Sequence, residues 1–148
     1  MSAPTRYPTA RDLLVALAVG LRAHVQPFLG SHAHREHVQA GAGGDVTFAI
    51  DEEAEAWLER FLAEHAPDVA YYSEDRGLVM PTGAPSATGG PSATGGPSEL
   101  PGFPAKEIPV LLVDPIDGTR PAMAGLECCC VSVAAAPLGD GNPTMADV

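Results

Sequence analysis

Between Thr9 and Gly30 the apolar residues Leu14, Leu17, Leu21, Val25 and Phe28 recur at helical spacing, which predicts an amphipathic first helix. Thr9 with Asp12 three residues on forms a capping-box pattern at its start, and Pro27 and Gly30 mark its end. A second helix is predicted from Asp51 to Ala66. Ala54, Trp57, Leu58, Phe61, Leu62 and His65 share one stripe, while Asp51, Glu52, Glu53 and Glu55 gather near the positive end of the helix dipole, and Pro67 stops the run. Trp57 lies mid-stripe and reads as core packing. Beyond it the period changes. Val69 to Tyr72 is a short β-prone run that delivers Ser73, Glu74 and Asp75 to its carboxyl end. Ile108 to Val113 reads as a fully buried strand with Asp114 at its end, and Cys128 to Ala136, an apolar run rich in small and β-branched residues, reads as a buried strand too. Two helices followed by mainly buried strands imply an α/β (α+β layered) domain.

The pattern fails in two places. Between the predicted helices, His32, His34 and His37 precede a glycine-rich turn through Gly41, Gly43 and Gly44. A polar helix end or solvated loop fits the histidines better than a metal site, because no carboxylate or cysteine completes a recognisable ligand set. Residues 78 to 106 form a low-complexity insertion, in which Pro85 to Gly90 repeats unchanged as Pro91 to Gly96 and begins again at Pro97-Ser98. Such a segment buries too little apolar surface to offset its ordering entropy, so a mobile loop is expected there. It also carries much of the chain's excess of 16 Gly and 15 Pro.

Eight Lys and Arg against 19 Asp and Glu give a formal charge of −11, a field that repels nucleic acid and anionic membrane surfaces. The same field repels a phosphorylated small molecule unless clustered carboxylates hold divalent cations that invert the local potential. The apolar run from Leu13 to Leu21 is far short of the ~20 residues that span a bilayer. It resembles a signal peptide only faintly, since Asp12 abuts it and no small-x-small cleavage site follows. The three cysteines, Cys128, Cys129 and Cys130, are consecutive and suit neither a disulfide framework nor a zinc site. They point to packing in a reducing, cytoplasmic compartment.

Chemistry concentrates at Asp114-Pro115-Ile116-Asp117-Gly118-Thr119, where two carboxylates follow a buried strand three residues apart. A tight turn there points both the same way, as a hard cation such as Mg²⁺ requires, and Gly118 allows close backbone approach to a phosphate if a helix begins at Thr119. Taken alone, the string is equally an Asx-capped turn.

This string resembles the Asp-Pro-(Ile/Leu/Val)-Asp-Gly-Thr signature of the inositol monophosphatase family of Mg²⁺-dependent, lithium-sensitive phosphatases. Upstream, Gly44-Asp45-Val46-Thr47 with Asp51 and Glu55 resembles that family's Asp-x-Val-Thr-x-x-Asp-x-x-x-Glu, and Tyr72-Ser73-Glu74-Asp75 resembles its Gly-Glu-Glu. The resemblance covers the chain apart from the insertion. It implies the amino-terminal portion of an αβαβα sandwich across residues 1–148. It also implies Glu74, Asp114, the Ile116 carbonyl and Asp117 as Mg²⁺ ligands, with Asp117, Gly118 and Thr119 facing substrate. Thr119, Asp45 and Glu74 become the catalytic group, Thr119 orienting the attacking water and Asp45 accepting the threonine's hydrogen bond.

Two departures from the family stand out. Arg120-Pro121-Ala122-Met123 replaces the usual x-Asn-(Phe/Tyr), leaving Arg120 facing solvent or a phosphate. The family's further aspartate ligand and most of its sugar-binding surface lie in a second half beyond the length of this chain, which is therefore expected to be a fragment. The expected activity is hydrolysis of a small phosphorylated polyol or sugar, inositol monophosphate first. Fructose bisphosphate, histidinol phosphate and adenosine bisphosphates are the alternatives within the class. The rival expectation is a non-catalytic chain that binds cations or a partner. Uncovered sheet edge and apolar surface predict self-association, a homodimer among the outcomes, or marginal stability.

Overall fold

The computed structural model describes residues 7, 9–31, 37–40, 46–81 and 108–138. Helix α1, Ala10–Val25, starts as its sequence demands: the Thr9 side chain accepts the Asp12 N–H at 3.1 Å and donates its hydroxyl to the Asp12 carboxylate at 2.6 Å. Leu13, Leu17, Leu21 and Val25, four residues apart, form its buried line, and Leu14 lies half-buried beside it. A 3-10 turn, Gln26–Phe28, with Pro27 inside it closes the helix.

Two short strands, β1 (His37–Ala40) and β2 (Val46–Phe48), pair antiparallel where only a polar loop and glycine-rich turn were expected. His32 and His34 lie outside the described residues. Strand β2 runs straight into helix α2, Ala49–His65, whose first turn is closed by the Phe48 N–H donating to Asp51 Oδ2 at 2.9 Å. Ile50, Ala54, Leu58 and Leu62 face the core, the isoleucine and leucines each contributing about 1.5–3 kcal/mol by burial. Trp57, Phe61 and His65 form the flank of that stripe. Trp57 stacks on Phe61 at 5.0 Å and on His24 of α1 at 6.0 Å, in the packing role its position predicts.

The second layer is a four-stranded sheet made of β3 (Ala70–Ser73), β4 (Gly77–Val79), β5 (Ile108–Asp117) and β6 (Cys130–Leu138), in the order β4-β3-β5-β6. The central pair β3 and β5 is parallel, with Ala70 opposite Val110 and Ser73 opposite Val113; both outer pairs are antiparallel. Tyr71, Leu111 and Val113 enter one core with the buried faces of α1 and α2. Leu78 and Val79, expected to open the insertion, pair with β3, and the repeats themselves lie outside the described residues.

The cysteine-led strand differs from its expectation. Among the described residues strand β6 pairs with β5 alone; Val131, Val133 and Ala135 are half-buried, and Cys128 and Cys130 are exposed. Among the described residues no helix is long and apolar enough to cross a membrane.

Candidate active site

Because β3 and β5 run parallel and in register, the residues leaving their carboxyl ends emerge side by side. There the β3–β4 turn brings Glu74 and Asp75 against Asp114 on β5. Helix α2 supplies Asp51 and Glu55 from behind, and Thr119 opens the short helix α3, Thr119–Met123. These six residues, with Pro115 and Ile116, line a cleft of about 50 Å³.

Five carboxylates in so small a space disturb one another. Burial pushes Asp51 up to about 6; the Phe48 N–H and Thr119 hydroxyl work against this, and Asp75 and Asp114 add to it. Glu55 rises to about 7, again through burial, although the Ser73 hydroxyl and the Arg76 guanidinium favour its charged form. Asp114 is raised by burial and then by the Glu74 carboxylate, against a 3.2 Å hydrogen bond from the Ile116 N–H. Glu55 is only 1% exposed, and the Ser73 hydroxyl, though near enough to favour the charge, falls short of hydrogen-bond geometry, so both carboxylate oxygens are left unsatisfied.

Unsatisfied oxygen donors and excess negative charge are what a hard divalent cation relieves, and the donor set, carboxylates with a backbone carbonyl, fits Mg²⁺. Among the described residues the acids surround a space; no three His, Cys, Asp or Glu side chains close on a single point.

Of the residues read from the sequence, Glu74, Asp114, Ile116 and Thr119 share this cleft. Asp117 stands apart from its lining. The two carboxylates of the motif sit on a strand with a register shift between them, not on a tight turn. Asp114 lies opposite Ser132 and Asp117 opposite Cys130, so Asp117 is exposed and accepts the Cys130 thiol at 3.7 Å. It remains near enough to Asp114 to help raise that group's pKa. Gly118 has φ 93°, and a Cβ there would lie 3.2 Å from the Cys128 carbonyl, so backbone conformation and close approach both require glycine. Arg120 is exposed.

Asp45, expected to hold the threonine, lies outside the described residues. The acceptor in the structure is Asp51, whose Oδ1 takes the Thr119 hydroxyl at 2.9 Å; the Ile116 carbonyl lies farther away, at 3.3 Å. Asp51, Glu55 and Asp75 are the acidic lining residues to which sequence reasoning gave no role in the site. For the first two a signal was present. Asp51, Glu55, Leu58 and Leu62 fall at helical spacing on the apolar face, so these two acids point inward while Glu53 and Glu59 are exposed.

The sequence profile described as the inositol monophosphatase family matches residues 11–148. The chain belongs to the inositol monophosphatase family. Solved structures agree in fold. An inositol monophosphatase–fructose 1,6-bisphosphatase superposes with TM-score 0.60 at 16% identity over 86% of this chain and 40% of that one. The extragenic suppressor protein suhB from Bartonella henselae gives 0.58 at 17% identity, over 84% and 39% of the two chains. The Thermotoga maritima IMPase gives 0.54 at 19%, over 84% and 38%. The chain thus spans about two-fifths of the length of these structures. No curated protein sequence matches it significantly. The family's signature string is the strand end and helix start that form one wall of the acidic cleft.

Proposed function

We propose that this chain carries one wall of a Mg²⁺-dependent phosphatase site that hydrolyses a small phosphorylated polyol or sugar, inositol monophosphate first. The observation that carries the reading is the parallel register of β3 and β5, which brings Glu74 and Asp114 into one cleft with a threonine hydroxyl already held by a buried acid. Glu74, Asp114 and the Ile116 carbonyl, from within the cleft, are the groups that would hold Mg²⁺, joined by Asp117 from outside its lining; the ion when bound lowers the pKa of water and offsets phosphate charge.

The chain's own residues account for the proton. The Thr119 hydroxyl donates to Asp51 Oδ1. Its oxygen lone pairs are therefore free to accept a proton from an attacking water as its own proton moves to Asp51. Asp51 is ionised above its raised pKa of about 6, so it has the capacity to take that proton near neutrality. Water oxygen bonds to phosphorus, the bond to the polyol oxygen breaks, the leaving oxygen takes a proton from solvent, and Asp51 returns its own to solvent. Gly118 and Thr119, at the start of α3, face the phosphate in this reading. A cytoplasmic setting agrees with Cys128, Cys129 and Cys130 being free thiols.

The test is phosphate release from inositol monophosphate and from fructose 1,6-bisphosphate, with and without Mg²⁺. Both the chain alone and the chain extended by whatever its gene encodes past Val148 are assayed. Mg²⁺-dependent release that disappears in Asp114→Asn is the expected result; full activity in that variant removes the metal assignment. A second reading, a cation-binding chain without turnover, is favoured by the two-fifths span. Mg²⁺ binding without phosphate release from either protein would establish it.

A further inference from the structure

The two walls of the acidic cleft come from separate elements. Asp51 and Glu55 belong to α2, while Glu74 and Asp75 belong to the β3–β4 turn. What ties the turn to the helix is the residue that follows the two acids. Arg76 reaches back to α2, placing Nη2 2.9 Å and Nη1 3.4 Å from the two carboxylate oxygens of Glu52. Its Nε lies 3.2 Å from Glu59 Oε1, a contact that is Coulombic because that N–H has no hydrogen-bond acceptor in line. The Arg76 backbone N–H also donates to Ser73 Oγ at 3.2 Å, closing the turn on itself. Glu52 and Glu59 are seven residues apart, hence on one side of α2, with Glu55 between them. The guanidinium and Glu52 are both about three-quarters buried, where a two-pronged pair holds orientation better than an exposed one.

We propose that Arg76 is a positioning residue for the cation site, locking the Glu74–Asp75 turn onto helix α2 so that the acids of both walls face one cleft. The proposal rests on the metal-dependent reading of that cleft. It makes a prediction opposite in sign to simple electrostatics. Arg76 is a positive charge beside an acidic cation site, so removing it deepens the negative potential, and charge alone predicts tighter cation binding. Removing a clamp frees the turn, and the ordering it supplied must then be provided by the cation, so positioning predicts weaker binding.

The experiment is calorimetric titration of the full chain with Mg²⁺ and Mn²⁺, comparing the parent protein with Arg76→Ala, Arg76→Lys and Asp114→Asn, alongside thermal unfolding of each. Arg76→Ala is expected to weaken binding about tenfold, the usual scale for an outer residue that orients ligands. Arg76→Lys keeps the charge but loses the planar fork, and an intermediate affinity is expected. Affinity equal to or tighter than the parent in Arg76→Ala overturns the proposal. If that variant fails to fold, Arg76→Lys decides, and parent-like affinity there overturns it. Parent-like binding by Asp114→Asn discards the metal site itself, whereas binding lost in Asp114→Asn but unchanged in the Arg76 variants discards only the clamp.

Discussion

Two side chains, one half-buried hydroxyl and one buried carboxyl, decide the chemistry of the cleft, and each makes a separate prediction. Thr119 is held by Asp51 through its hydroxyl alone. Thr119→Ala should therefore lower kcat about 10²–10³-fold in a phosphate-release assay while leaving the melting temperature nearly unchanged; Thr119→Ser, which keeps the hydroxyl, should retain most of the rate. Glu55 is the case for pH. Its pKa rises from 4.5 to about 7 because burial penalises the carboxylate. The folded chain therefore binds a proton more tightly than the unfolded one. The stability this group contributes is complete below pH 4.5 and is lost as pH climbs through 7. Glu55→Gln should thus stabilise the metal-free protein by about 1–2 kcal/mol at pH 8, discounted for solvent screening, and by almost nothing at pH 4.5. Urea unfolding in a chelator at both pH values measures it, and a loss of stability at pH 8 would mean that the carboxylate is held by partners. Glu74, Asp114 and Thr119 were readable in the sequence because a contiguous motif follows a buried strand. The part Asp51 plays as acceptor for the Thr119 hydroxyl was not. It depends on where α2 begins, and that helix starts at Ala49, two residues before the boundary its acidic run suggests.

Among the elements, helices α1 and α2 and strand β5 were plain from periodicity and from an uninterrupted apolar run. The misreadings concern neighbours in space. Whether Cys128–Ala136 is central or at an edge depends on which strand flanks it, and no local pattern carries that information. Likewise, Asp114 and Asp117 sit three residues apart in any reading, but which way each points follows from the register shift against β6. The contact between the two helices is set by a small residue. Gly20 of α1 leaves room for the Trp57 ring, and a Cβ there would clash with the ring atoms Cη2 and Cζ2. Alanine improves helix propensity by about 1 kcal/mol, yet overpacking typically costs about 1–3 kcal/mol. Gly20→Ala should therefore lower stability by about 1 kcal/mol. It should also shift Trp57 fluorescence to the red as the ring is pushed outward, which equilibrium unfolding and an emission spectrum would detect. An unshifted spectrum with a stabilised protein would show that the ring yields freely.

For the whole molecule, the cleft is assembled from segments distant in sequence, α2, the β3–β4 turn and the end of β5, with the glycine- and proline-rich stretch between the last two. The sheet explains why that stretch can be long without disturbing the site. Strand β4 runs antiparallel to β3, so it returns the chain to the end of the sheet where the parallel strand β5 begins, two strand spacings away. Two spacings are about 10 Å, a gap that about three or four extended residues can bridge. Of the 28 residues between Val79 and Ile108, deleting the 12 from Pro85 to Gly96 still leaves 16. Loop-closure free energy changes by only about 0.6 kcal/mol for each doubling of length, so the deletion should alter stability by less than that and in the favourable direction. The register of β3 on β5 is fixed by Tyr71, Leu111 and Val113 in the core, so Glu74 should stay in one cleft with Asp114 and cation affinity should not change. Thermal unfolding and Mg²⁺ titration of the deleted protein measure both quantities. Loss of cooperative unfolding, or a cation affinity several-fold weaker, would show that the repeats pack on the sheet and take part in shaping the cleft.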